Sequence, residues 1–426
     1  MDTALPKVGE VVTIESLAAG GAGVTHLADG MIAFVPRTAP GDRVELASVR
    51  RHRRYAEAQA AGVVAAGPGR IAPPCAHFTD DRCGGCQWQH LAPDAQAAAK
   101  RRIVGDALRR IGGLAVEDPE LVESPRLLGY RATMTLTVRW RRGGPPIVGF
   151  HDGLDPDRVF PLESCAIARE ELNALWHAIR SEVGVLPRGD DVRLRLRIEG
   201  DGSRHLLVSG GDGAWSRGEP LAEAARHAGI PVTVWWQPRG GAVRRVGGGT
   251  GEPAALAFGQ VNPEVAQLLH AAVVAAARAA VTGSARVLDL YAGAGETTLP
   301  LAGDGHRVVL VESDGRAVRR AEERAAAARV ALRCIAGRVE DHLGALLPAD
   351  VVIVNPPRAG LGQTVTDRLR GAMPACLIYV SCDPATLARD LRRMDIGKDR
   401  VRQVRSFDMF PQTSHVETLV VVEAAP

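Results

Sequence analysis

Val287-Leu-Asp-Leu-Tyr-Ala-Gly-Ala-Gly295 reads as a buried strand that runs straight into Gly293 and Gly295. Glycines at the end of a first strand let the backbone approach a ligand closely. One strand later, Val308-Val-Leu-Val-Glu312 ends in an acid. A carboxylate there is placed to grip both hydroxyls of an adenosine ribose. A lone G-x-G can be mere tight packing, but together with Glu312 it points to a nucleoside cofactor. The third glycine of the dinucleotide fingerprint is missing, which argues against nicotinamide.

Outward from this segment, residues 263–281 read as helix, 286–290 as strand, 297–302 as helix, 307–312 as strand and 315–328 as helix. Strands at 331–335, 351–355 and 377–381 follow. Strands alternating with helices predict an α/β, doubly wound, Rossmann-like domain over residues 259–426. At the other end, residues 8–14, 31–35 and 43–49 are β-rich and punctuated by turns, which predicts a small β-barrel of the oligonucleotide-binding type over 5–66. The stretch 67–258 between them reads as an α+β middle domain. It has strand-like runs at 132–140, 193–198, 206–209 and 232–236, a helix near 169–180 and a basic helix at 95–112. The glycine-rich 240–251 reads as a flexible loop.

The chain has 426 residues, 46% hydrophobic and 24% charged, which suits a folded protein of two or three domains. No signal-like segment opens it. Residues 268–281 are apolar, but too short for a membrane span and interrupted by Arg278. A cytoplasmic protein without membrane attachment is expected. The net charge of +3 is mild, yet basic residues are bunched at 50–54, 100–102, 109–110, 139–142 and 244–245. Such runs permit phosphate binding without demonstrating it. Seven cysteines, an odd number, argue against a disulfide framework and for metal binding or catalysis.

Ile378-Tyr-Val-Ser-Cys-Asp-Pro384 ends a strand. Asp383 can cap a helix beginning at Pro384, with Leu387, Leu391 and Met394 on one face. Cys382 then sits beside a helix N-terminus, whose dipole and free N–H groups favour a thiolate. Cys334 and Cys376 lack that context and read as structural. Val354-Asn-Pro-Pro-Arg358 forms a rigid loop at another strand end. Glu417 opens a final apolar strand and is the candidate base, with His415 ranked second. Cys75, Cys83 and Cys86 share a loop, and Cys165 is the remaining cysteine outside the C-terminal domain. Four such ligands fit structural zinc or a [4Fe–4S] cluster.

These segments together resemble the bacterial RNA uracil-C5 methyltransferase family, in its branch with an N-terminal TRAM domain and an iron–sulphur cluster. The segments are Cys75…Cys-Gly-Gly-Cys-Gln-Trp-Gln-His90, Phe258-Gly-Gln-Val-Asn262, Asp289-Leu-Tyr-Ala-Gly-Ala-Gly295, Asn355-Pro-Pro-Arg-Ala-Gly360, Ser381-Cys-Asp-Pro384 and His415-Val-Glu417. The resemblance implies S-adenosylmethionine as cofactor, and a flipped uridine of RNA as substrate, in ribosomal RNA of the large subunit before transfer RNA. It implies Cys382 as nucleophile at C6 and Glu417 as base at C5. It implies that Gln260, Tyr291, Glu312 and Asn355 line the cofactor or base pocket, with Gly293, Gly295 and Glu296 in the cofactor turn. It also tips the four cysteines from zinc to iron–sulphur. No obligate protein partner is evident. Asn355 stands where the family usually has Asp, Glu296 where it usually has Asn or another small or apolar residue, and Ala132 where it often has Asn. Two other functions compete: methylation of an exocyclic amino group, which needs no cysteine, and an RNA-binding or assembly factor that has lost catalysis.

Overall fold

The structure is a computed structural model that describes residues 9–249 and 259–424. Phe258, the first residues of the expected barrel and the last of the expected middle domain lie outside the described residues. The glycine segment 287–295 does open a doubly wound sheet. Its eight strands lie side by side in the order Arg333–Ala336, Arg307–Glu312, Arg286–Leu290, Val351–Val354, Cys376–Ser381, Glu417–Glu423, Val401–Phe407 and Glu120–Val122. The first five are mutually parallel. Glu417–Glu423 then runs antiparallel to both of its neighbours. Strands such as Val351–Val354 are buried at every residue because helices cover both faces of the sheet. Two apolar cores result. One includes Leu288, Val352 and Leu387, and the other Val287, Ile353 and Ile378.

Residues 11–65 form a six-stranded sheet whose inner face packs Val12, Ile14, Val35, Val44 and Leu46. A seven-stranded sheet with the helix Glu170–Ile179 makes the middle of the molecule. The expected loop at 240–251 is in part a strand. Arg244–Gly248 pairs antiparallel with Thr233–Gln237, and the Arg244 guanidinium lies 4.2 Å from the centre of the Trp236 ring. Its glycines hid this edge strand, because glycine is depleted in strands and the five residues there lack the apolar alternation that marks one.

A second difference bears on function. Helix Pro93–Arg110 and strand Glu120–Val122 lie within the stretch assigned to the middle domain, yet they join the C-terminal unit. Val104, Leu108 and Leu114 enter its core, and Glu120–Val122 pairs with Val401–Phe407. Lys100, counted above in a basic run, is fully buried and contributes nothing to a cationic surface. Among the described residues, no helix is long and apolar enough to cross a membrane.

Candidate active site

The chain leaves the adjacent strands Arg286–Leu290 and Val351–Val354 in opposite directions along the sheet, so a crevice opens at their carboxyl ends. Tyr291 and Asn355 stand at its mouth, where the Asn355 N–H donates to the Leu290 carbonyl at 3.3 Å. Tyr291, Gly293 and Gly295 all have positive φ, which curls the turn back over the strand end. Asp289, buried at the end of the strand, fixes that turn by accepting hydrogen bonds from the Thr297 and Thr298 hydroxyls, each at 2.6 Å. Burial pushes its carboxyl up to about 6 despite those donors. Glu312 stands opposite. It accepts from the Gly293 N–H at 3.0 Å and from the Asp314 N–H at 2.8 Å. Both strand ends thus converge on one carboxylate with a fixed orientation. Gln260 is half-buried in the segment 259–262, which joins the middle sheet through the Ala132 N–H and leads into helix Pro263–Ala279. Glu296 is exposed and ion-paired to Arg324 at 2.9 Å, and a Cβ at Gly293 would stand 3.9 Å from its carboxylate.

The acid at Glu312 yields a quantitative expectation. Carboxylate hydrogen bonds to a ligand's hydroxyls are charge-assisted, so Glu312→Ala should weaken S-adenosylmethionine binding roughly 10- to 100-fold by calorimetric titration. An unchanged dissociation constant would remove Glu312 from the site.

Cys382 and Glu417 come from strands that are distant in sequence order and adjacent in space. Ser381 pairs with Thr418, so the next step of the antiparallel register sets Cys382 against Glu417. The start of one strand and the end of its neighbour thus share the rim of the crevice. Glu417 is buried, and burial pushes its carboxyl up to about 7, opposed by the positive charge of Arg358. Burial and the Glu417 charge push the Cys382 thiol up as well, and Arg358 again opposes. The expected thiolate-stabilising helix end is present but occupied. Asp383 accepts from the Ala385 and Thr386 N–H groups, both at 2.9 Å, so those donors are spent on the cap. Arg358 is therefore the cation that faces both groups. Nothing local in the Asn355–Gly360 motif marks Arg358 for this role, which comes from the strands brought beside it. His415 is half-buried, and burial and the cations Arg358, Lys100 and Arg131 hold it below the ordinary imidazole value.

A buried carboxylate fixes the loop that carries Asn355 and Arg358. Asp390 accepts from the Tyr379 hydroxyl at 2.8 Å and from the Leu361 N–H at 2.7 Å, while Arg389 donates to the Ala359 carbonyl at 2.7 Å. Gly360 sits against this knot with φ of 75°, and a Cβ there would stand 2.4 Å from the Asp390 carboxylate. Gly360→Ala should therefore cost about 1–3 kcal/mol in a denaturant titration and lower methylation with it. A variant of unchanged midpoint and activity would deny the loop this anchoring.

Cys75, Cys83, Cys86 and Cys165 are all free thiols and line one cavity, walled by Phe78, Phe150 and Ile167. Burial pushes Cys83 up to about 11 and Cys86 up to about 12. Among the described residues, no group of three or more His, Cys, Asp or Glu is gathered tightly enough to hold a single metal ion.

A sheet of this order, with a glycine turn and an acid at its crevice, is that of a class I methyltransferase. Residues 266–373 match the family model of the methyltransferase small domain, and residues 337–425 match that of tRNA (uracil-5-)-methyltransferase. The chain is 34% identical to an uncharacterised RNA methyltransferase of Gloeobacter violaceus, over 97% of each chain. It is 33% identical to the 23S rRNA (uracil(1939)-C(5))-methyltransferase RlmD of Thiobacillus denitrificans, over 97% of this chain and 99% of that one. The chain belongs to the RNA uracil-C5 methyltransferase family. The solved tRNA (uracil-54, C5)-methyltransferase of Pyrococcus abyssi, in complex with S-adenosyl-L-homocysteine, shares its fold with a TM-score of 0.72 at 22% identity. The match covers 97% of this chain and 100% of that one.

Proposed function

We propose that this protein methylates C5 of a uridine in RNA, with large-subunit ribosomal RNA as the favoured substrate and transfer RNA second. The observation that carries this reading is the placement of Cys382 against Glu417 at the rim of the crevice between the strand ends. C5 of uracil is a poor nucleophile until something adds at C6. The Cys382 thiolate forms a bond to C6, and the electrons of the C5–C6 double bond move onto the ring carbonyl. When bound, S-adenosylmethionine would supply an electrophilic methyl group, and Glu312, Tyr291 and the turn at Gly293 and Gly295 would hold it. The electrons return from the ring carbonyl through C5 to that methyl carbon, and the methyl–sulphur bond breaks to leave a neutral thioether. Glu417 then removes the C5 proton, the C5–C6 double bond reforms, and the C6–sulphur bond breaks to return the thiolate. Arg358 faces both reacting groups and offsets the negative charge that passes between them. Asn355 and Gln260 are assigned to the same pocket. Methylation of an exocyclic amine would leave the Cys382–Glu417 pair without a task. The rRNA preference rests on the RlmD likeness, and the cytoplasm, where such RNA matures, is the corresponding place of action.

Nucleoside mass spectrometry of ribosomal and transfer RNA, from cells with and without the protein, tests the reading. Loss of 5-methyluridine from one fraction is expected. An unchanged level in every fraction would sink it.

The N-terminal six-stranded sheet is assigned as a TRAM-type RNA-binding barrel, and residues 5–66, 67–258 and 259–426 as the three domains, with 93–122 docked on the third. The four cysteines are assigned to a [4Fe–4S] cluster. Four cysteine ligands fit structural zinc as well as a [4Fe–4S] cluster, and the family resemblance of the Cys75–His90 segment is what favours the cluster. Cys75, Cys83, Cys86 and Cys165 line one shared cavity, which is the place such a cluster would occupy. Iron and acid-labile sulphide measured per chain after anaerobic purification check the assignment. Stoichiometric zinc without iron would reverse it.

A further inference from the structure

Between strand Val401–Phe407 and Glu417 the chain makes an excursion that contains four buried polar side chains, Asp408, Gln412, Thr413 and Ser414. Loops normally lie on the surface because buried backbone needs partners. Here the partners come from the first third of the sequence. The Trp88 N–H donates to the Gln412 carbonyl at 3.0 Å, and the Trp88 indole N–H donates in turn to Gly21 of the N-terminal sheet at 2.9 Å. The Gln96 amide bonds Gln412 twice, accepting from its backbone N–H and donating to its side-chain oxygen, each at 3.0 Å. The Tyr130 hydroxyl donates to the Pro411 carbonyl at 3.0 Å. The Lys100 ammonium, fully buried, donates to Asp408 at 2.5 Å and to the Phe410 carbonyl at 3.0 Å. Gln412 itself is held at φ of 68°, which a non-glycine residue keeps only where its surroundings enforce it.

Glu417 is the first paired residue of its strand, so the preceding loop sets its aim. Lys100 supports this role. A buried ion pair is weak evidence for stability, since a well-packed apolar pair would serve as well, and its best-attested use is to fix a register. We infer that Gln96, Lys100 and Tyr130 are positioning residues for Glu417, so that the N-terminal half of the molecule sets the geometry of C5 deprotonation through the loop at 408–414. The inference rests on Glu417 being the C5 base.

The test uses the full protein with uridine-containing RNA substrate and S-adenosylmethionine. A misaimed base slows the last step, so methylated RNA stays bonded to Cys382 and runs with the protein on a denaturing gel. Tyr130→Phe removes a single hydroxyl. It should lower kcat roughly tenfold and raise the fraction of trapped protein, with KM for RNA and S-adenosylmethionine binding unchanged. Lys100→Met should do the same more strongly, and adding Asp408→Asn should restore part of the loss, because it removes the carboxylate left unpaired. If Lys100→Met does not fold, Tyr130→Phe alone decides. Wild-type kcat with no trapped protein in Tyr130→Phe and Lys100→Met, while Glu417→Gln does trap, overturns the inference and leaves the reaction standing. A fully active Glu417→Gln overturns both.

Discussion

Cys382→Ala abolishes 5-methyluridine formation, by roughly 10⁴-fold or more in kcat, because without a nucleophile at C6 nothing makes C5 attack a methyl group. Cys382→Ser does nearly as badly, since the hydroxyl is far less acidic than the thiol and the Arg358 charge cannot make up that difference. Binding of S-adenosylmethionine should survive both changes, as Glu312 and the glycine turn belong to other strands. The comparison separates the competing functions. An amino-group methyltransferase would keep its activity in Cys382→Ala, and an assembly factor without catalysis would show none in the wild type. Methyl transfer to RNA is the measurement, with single-turnover quantities of each variant. Retained 5-methyluridine formation in Cys382→Ala would end the covalent mechanism.

Glu417→Gln keeps the shape of the side chain and removes its basicity, so proton abstraction from C5 loses roughly 10²- to 10⁴-fold. Addition and methyl transfer come earlier and continue, so RNA accumulates bonded to Cys382. The wild-type pH profile carries the same information. Burial holds the Glu417 carboxyl up to about 7, so below that pH it is protonated and cannot accept the C5 proton. The rate therefore rises as pH increases through about 7 and goes on rising above it, as the Cys382 thiol ionises later still. Cys382 is also shifted upward, which adds to the need for alkaline conditions rather than opposing it. In Glu417→Gln the step near pH 7 should vanish. A wild-type profile flat across that range, or a Gln variant that turns over normally, would assign the proton to another base, with His415 next in reach of the same loop.

Much of this site was legible as sequence because its parts are local. A strand followed by Gly293 and Gly295, an acid at the end of the next strand, and Asp383 with Pro384 opening a helix are each set within a few residues by backbone conformation and capping chemistry. Leu387, Leu391 and Met394 lie buried on the helix face expected of them, because helical period alone selects that face. The edge strand Arg244–Gly248 was not legible, nor was the docking of helix Pro93–Arg110 on the C-terminal core. The first was masked by its glycines, and the second is decided by a surface supplied elsewhere in the chain.

The sequence by itself determined the kind of sheet and the glycine turn at its first strand, because hydrophobic period and glycine placement act over short range, and its motifs named Cys382 and Glu417 as the candidate reacting groups. Only the tertiary structure decided how those groups behave. The antiparallel register put Glu417 beside Cys382, Arg358 came to face both, and Asp383 consumed the helix-end donors that would have favoured a thiolate. It also sank Lys100 from a basic run into the interior, opposite Asp408. Such outcomes depend on burial and on charges brought together across more than 300 residues, which no local pattern records.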